Sequence, residues 1–308
     1  MLGKGGLRTI DYIQLHLGES SIYSPVHSAP HPILESLWQG DVDDNGKPLN
    51  LVVPLAKIGR DPFLDWIHAT RAAELRVQVY VNGSNMLQRE GETPNPSAIP
   101  NITQRWKEWC DSTPKVQKFL DSEPYHRDPK FPERAYMFCY AEFILKDYAI
   151  RYGELIDAWL FDSGKFMPMN GDKDRSEKVK EQRLYQAFAE AIQAGNPNAA
   201  VSFNNGVGNG KHPLVPPTRF CDYTFGHPFG GLNSMTGTPS LYERNFGIVQ
   251  RMADTNGCVF INSSRDWDDR VVGHFDPGMS TTAWNNGLKS SLTEEQFLEW
   301  NTVALKGG

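Results

Sequence analysis

A chain of 308 residues is long enough for one large barrel or two ordinary domains with a sizeable core, and length alone leaves both open. Its net charge of −6, with no clustered run of Lys and Arg, argues against a general nucleic-acid binder. No apolar stretch reaches the length of a membrane span, and the amino end, Met1-Leu-Gly-Lys-Gly-Gly, lacks the apolar core of a secretory signal.

Four cysteines, Cys110, Cys139, Cys221 and Cys258, are widely separated and show no CxxC spacing, which disfavours zinc or redox use. They read as small buried hydrophobes. Eight Trp, eleven Tyr and sixteen Phe make the chain aromatic-rich, many of them in Gly/Asn/Pro loops, where stacking on sugar rings competes with plain packing.

Ile10 to His16 alternates as a strand and places His16 at its carboxyl end. Asp41, Asp43 and Asn45, followed by Gly46, have the spacing that opens a calcium loop, but the twelfth position is Val52 rather than a bidentate Glu. An ordinary acidic turn is the competing reading, so a structural calcium stays an open expectation. Leu49 to Leu55 reads as a second buried strand, Asp61 to Glu74 as a capped helix with Pro62 in its first turn, and Leu75 to Val81 as a third strand ending at Asn82-Gly83. This alternation predicts a parallel α/β architecture. Residues 84–130 read as a long polar insertion with a helix near Gln104 to Cys110, of the kind that faces substrate in a barrel.

Ala141 to Tyr152 predicts a helix that stops at Gly153, and Ile156 to Phe161 a short apolar strand ending on Asp162. A carboxylate at the carboxyl end of a buried strand is where a (β/α) barrel keeps catalytic groups; a helix cap or Asx turn is the plainer alternative. Asp172 to Ala194 predicts an amphipathic helix and Ala199 to Phe203 a fifth strand, followed by Asn204 and Asn205. Cys221 to His227 ends at another candidate site, and Gly257 to Asn262 reads as a further strand. A last helix spans Leu292 to Leu305. A barrel helix is normally followed by the strand it covers, so the final strand is expected to be missing from this chain. The expected fold is one irregular (β/α)8-type TIM barrel over 1–308.

Four segments in matching order resemble the α-L-fucosidase clan of glycoside hydrolases, family 29 and the related family 107 endo-fucanases. His16-Leu-Gly is similar to the His-Trp-Gly after the clan's first strand, and Leu75 to Val81 to its G-L-K-F-G-L-Y-Y strand. Tyr152 to Gly164 is similar to the strand ending in W-F-D-G, whose Asp is the nucleophile. Asn196 to Asn205 and Cys221 to His227 resemble the N-P and D-F-x-T-x-E region. The resemblance implies that Asp162 is the nucleophile. His227 stands where family 29 has its acid/base Glu, which moves the reading toward the endo-fucanases, described as using His there.

The chemistry needs a carboxylate to attack the anomeric carbon and a second group to protonate the leaving oxygen, about 5–5.5 Å away in carboxylate pairs. Asp162 supplies the first. His227, with an ordinary pKa near 6.5, suits the second, and Asp222 is a candidate to fix its tautomer. His16, Tyr80, Asn204, Asn205, Asp222, Arg265, Trp267 and Trp284 are candidate substrate-binding residues. Lys211, His212, Arg265, Arg270 and His274 are the cations for a sulfated substrate.

The expected function is therefore a retaining endo-fucanase on sulfated fucan, secreted or periplasmic, needing no catalytic cofactor and no nucleic-acid or membrane partner. An exo-α-L-fucosidase and a non-catalytic glycan-binding relative are the alternatives. A barrel metalloenzyme using His16, Asp162 and His227 is a third.

Overall fold

The computed structural model describes residues 12–18, 27–49, 59–83, 86–87, 101–162, 183–204, 218, 220–223, 293–295, 298 and 302. The chain divides into two compact units, Met1–Asp162 with Phe166–Ala200, and Ser163–Lys165 with Val201–Gly308. Its described strands are β1 (Tyr12–Gly18), β2 (Arg76–Asn82), β3 (Ala158–Asp162) and β4 (Ala200–Phe203), in that order in one sheet. β1 pairs with β2, and β2 with β3, in parallel. The protein is thus an α/β protein on a parallel sheet.

β1 lies directly against β2, Tyr12 opposite Arg76, so no strand stands between them. All of the expected strand at 49–55 but Leu49 lies outside the described residues. The crossover carries α1 (Pro32–Ser36) and α2 (Pro62–Ala72). α2 starts as its sequence dictates: Asp61 Oδ1 accepts from the amides of Phe63 at 3.0 Å and Leu64 at 3.1 Å, and Pro62 follows at the first helical position.

The described part of the 84–130 region holds more than the one expected helix. α3 (Ile102–Ser112) is followed by α4 (Pro114–Leu120) and a 3-10 turn at Pro124–Arg127. Trp106 anchors α3, fully buried, with Nε1 donating to the Tyr136 carbonyl at 3.2 Å.

The helix expected at 141–152 begins earlier. α5 (Glu133–Tyr140), a π-helical turn (Ala141–Leu145) and α6 (Lys146–Tyr152) run on from one another, and Gly153 ends the run at φ +50°, where a side chain would be strained. α7 (Arg183–Gln193) buries Leu184, Phe188 and Ile192, a repeat of four that makes one apolar stripe. Its Phe188 meets Phe161 of β3 edge-on at 5.2 Å.

Glu294, Glu295, Leu298 and Thr302 of the expected last helix are helical, while the expected strand at 257–262 lies outside the described residues.

Candidate active site

The period-2 geometry of strands sorts β1, β2 and β3 into two faces. One carries Val77, Val79, Val81, Trp159 and Phe161, all buried, with Phe161 against α7. The other carries, in register, Gln14, Gln78 and Ala158, then His16, Tyr80 and Leu160, then Asn82 and Asp162. Polar residues thus accumulate along one face toward the carboxyl ends of the strands, which is where a parallel sheet holds its chemistry.

Asp162 is the last residue of β3. Its backbone carbonyl accepts from the Gly83 amide at 2.7 Å, which ties the end of β3 to the turn after β2. Its carboxylate Oδ2 accepts from the Tyr80 hydroxyl at 2.6 Å. Tyr80 pairs with Leu160, two residues before Asp162, so its long side chain reaches along the shared face to the carboxylate. That distance is in the range of a hydroxyl donating to a carboxylate. The ring of His16, level with Tyr80 on β1, stacks on the tyrosine ring at 4.6 Å and 20°. Immediately beyond, the β1–β2 register shifts between His16 and Gly18, a bulge of the kind that re-aims side chains beside functional sites. The structure thus brings three of the expected residues, His16, Tyr80 and Asp162, into one contiguous row.

Asn82 was not among the residues singled out from the sequence. It is buried and stands directly opposite Asp162 on the same face. Its position at a strand's carboxyl end before a glycine was the available signal.

Asn204 follows β4 and is buried. Asp222 is buried beside the start of β4. Its Oδ2 accepts from the Val201 amide at 2.8 Å, and its own amide donates to the Val201 carbonyl at 2.7 Å. This oxygen serves the second residue of β4, and His227, the partner expected for Asp222, lies outside the described residues. His227, Asn205, Arg265, Trp267 and Trp284 lie outside the described residues, as do Lys211, His212, Arg270 and His274.

The acidic segment of Asp41, Asp43 and Asn45 folds as a turn. Val42 bridges Pro48 in antiparallel fashion, and Asp43 Oδ1 accepts from the amides of Asn45 and Lys47, both at 2.9 Å. Both oxygens of Asp41 are held by Arg105, at 2.6 and 2.9 Å, and this hydrogen-bonded guanidinium lowers the Asp41 pKa. The Asp41 oxygens thus contact an arginine, and one Asp43 oxygen contacts two amides. Among the described residues no group of three or more His, Cys, Asp or Glu is arranged to hold a metal ion. Cys110, Cys139 and Cys221 are buried free thiols, and burial pushes Cys221 up to about 12. Cys258 lies outside the described residues.

Neither a family model nor a curated protein matches the chain. Solved structures do. The endo-fucoidan hydrolase MfFcnA4 from glycoside hydrolase family 107 is 49% identical, with a TM-score of 0.84 across 98% of this chain and 43% of its own. The chain is related to glycoside hydrolase family 107. A second family 107 endo-fucoidan hydrolase, MfFcnA9, is 48% identical with a TM-score of 0.83, across 98% of this chain and 51% of its own. The chain therefore spans about half or less of the length of these family 107 relatives. P5AFcnA, also of family 107, shares the fold at 12% identity and a TM-score of 0.60. The family 29 part of the resemblance gains no support from these neighbours.

Proposed function

We propose that the chain is a retaining, endo-acting fucanase that cleaves α-L-fucosyl linkages in sulfated fucan. The observation that carries this reading is its 49% identity, along nearly all of its length, to an endo-fucoidan hydrolase. The row of His16, Tyr80 and Asp162 at the carboxyl ends of parallel strands supports it, because a positioned carboxylate is what retaining hydrolysis requires. In this reading the parallel sheet belongs to a (β/α)8-type barrel forming a single domain.

Asp162 attacks the anomeric carbon as the glycosidic C–O bond breaks, and the leaving oxygen takes a proton from His227. Water then attacks the same carbon, the ester bond to Asp162 breaks, and His227 takes the water's proton. A relative's solved variant carries a His-to-Gln substitution, which suits a functional histidine in these enzymes. His227 also follows Asp222 by the same five residues that separate Asp157 from Asp162. Asn204, Asn205, Trp267 and Trp284 are proposed to bind sugar rings, and Arg265, Arg270, His274, Lys211 and His212 to meet sulfate. A polymer of this size does not cross a bilayer, which favours action outside the cytoplasm.

The test is fucoidan digestion followed on a carbohydrate gel, with the parent protein beside Asp162→Asn and His227→Ala. The reading predicts an oligosaccharide ladder that disappears in both variants. Folded parent protein that binds the polymer and releases no fragments would replace it with the glycan-binding alternative.

A further inference from the structure

We propose that Tyr80 is the positioning residue of the nucleophile: its hydroxyl holds the Asp162 carboxylate in the attacking orientation, and the stacked His16 ring holds Tyr80. The inference rests on the assignment of Asp162 as nucleophile and deepens it. Tyr80 was expected from the sequence to touch sugar. The geometry gives its hydroxyl a protein partner instead, 2.6 Å away on Asp162 Oδ2.

Three features make this a built arrangement. The register of β2 against β3 puts Tyr80 and Asp162 on one face, two residues apart along it, a span a tyrosine side chain covers and a shorter one does not. The carbonyl of Asp162 is pinned separately by the Gly83 amide, so backbone and carboxylate are each held by β2 or the turn after it. The ring that carries the hydroxyl is fixed by His16 from β1 at 4.6 Å, nearly parallel. Neighbouring parallel strands thus contribute support, donor and acceptor in succession.

The chemical consequence follows from the charge on the carboxylate. That charge is present before attack, is lost when the ester to the anomeric carbon forms, and returns when water displaces the carboxylate. A hydroxyl that donates to the charged form makes the carboxylate a better leaving group in the second step and limits its rotation in the first. Removing the hydroxyl therefore slows turnover more than it weakens substrate binding. A hydrogen bond to a charged group of this kind corresponds to a loss of about ten- to a hundredfold in rate.

The experiment compares Tyr80→Phe, His16→Ala, the double variant and Asp162→Ala on fucoidan, with kcat and KM measured separately and folding checked by thermal melting. Tyr80→Phe keeps the ring and its stack on His16 and removes only the oxygen. We expect kcat to fall about ten- to a hundredfold, KM to stay level or fall, and the melting temperature to hold. His16→Ala should lower kcat in the parent and have a smaller effect when combined with Tyr80→Phe. In an Asp162→Ala background, Tyr80→Phe should leave the affinity for fucoidan unchanged.

A raised KM with unchanged kcat in Tyr80→Phe would make Tyr80 a sugar contact and overturn the proposal, as would unchanged kinetics. If Asp162→Ala itself retains activity, the nucleophile assignment fails and this inference with it. Activity lost in Asp162→Ala but kept in Tyr80→Phe overturns the inference alone.

Discussion

Asp157 completes the pairing of Val77 by side chain as well as by backbone: its Oδ2 accepts from the Val77 amide at 2.7 Å while its own amide donates to the Val77 carbonyl at 2.9 Å. Asp222 does the same to Val201, at 2.8 and 2.7 Å. In both pairs an aspartate at the entry to a strand satisfies an amide that the ladder would leave open. Arg71 adds to the first, 2.9 Å from the same carboxylate oxygen.

Removing either carboxylate leaves a backbone donor without its acceptor, so Asp157→Ala and Asp222→Ala should each cost about 1–3 kcal/mol in denaturant melts. Asp222→Asn retains an acceptor for Val201 and should match the parent in both stability and fucoidan hydrolysis. A well-folded Asp222→Asn protein with strongly reduced kcat would mean that Asp222 serves the chemistry as well as the Val201 amide.

Gly195, after α7, lies directly on the backbone of α6, where a methyl group would collide with the Ala149 carbonyl and crowd the Ile150 amide. Neither contact is a flexible side chain that can swing aside. Gly195→Ala should therefore destabilise the protein by about 1–3 kcal/mol or more through overpacking. The drop in melting temperature measures it; an unchanged melt would mean that α6 and the turn after α7 do not pack this closely.

His31 caps α1 with Nδ1 accepting from the Ile33 amide at 3.3 Å, and it is almost fully buried. Burial, followed by the nearby Arg151 and Lys115 charges, lowers its pKa from 6.5 to about 3. Asp147 Oδ2 lies 3.4 Å from Nε2 but is already bound by Arg151 at 2.7 Å and is half exposed, so it does not offset these effects. Because the folded pKa is depressed, the unfolded chain binds more protons between the two values. Stability is full above pH 6.5, falls as pH drops through the window, and levels off near pH 3. The slope from this one group approaches about 1.4 kcal/mol per pH unit. His31→Asn keeps a capping oxygen and should flatten the acid side of a stability–pH curve; an equally steep curve would remove His31 as its source.

The Asp41 to Asn45 turn should ignore metal. With Asp41 bound by Arg105 through both oxygens and Asp43 serving two amides, adding calcium or EDTA is expected to leave the melting temperature unchanged. A calcium-dependent rise that vanishes in Asp43→Ala would reverse this.

The positions of His16, Tyr80 and Asp162 near strand ends were legible from alternation in the first two strands and from a short apolar run in the third. Capping chemistry likewise located α2, through Asp61 and Pro62. Which strands are neighbours was not legible, since it depends on contacts between distant segments. The contact of Asp222 with Val201 was hidden for a related reason, since the two residues are twenty-one positions apart. The Arg105 contact of the acidic turn was hidden in the same way, since Arg105 is sixty-four residues from Asp41.

The most direct test of the account is the anomeric configuration of the first products, followed by proton NMR as fucoidan is cleaved. Attack by Asp162 and then by water inverts the anomeric carbon twice, so the new reducing ends should appear as α-L-fucose and mutarotate only later. New ends that appear first in the β configuration would mean a single displacement by water and would contradict the nucleophilic role of Asp162.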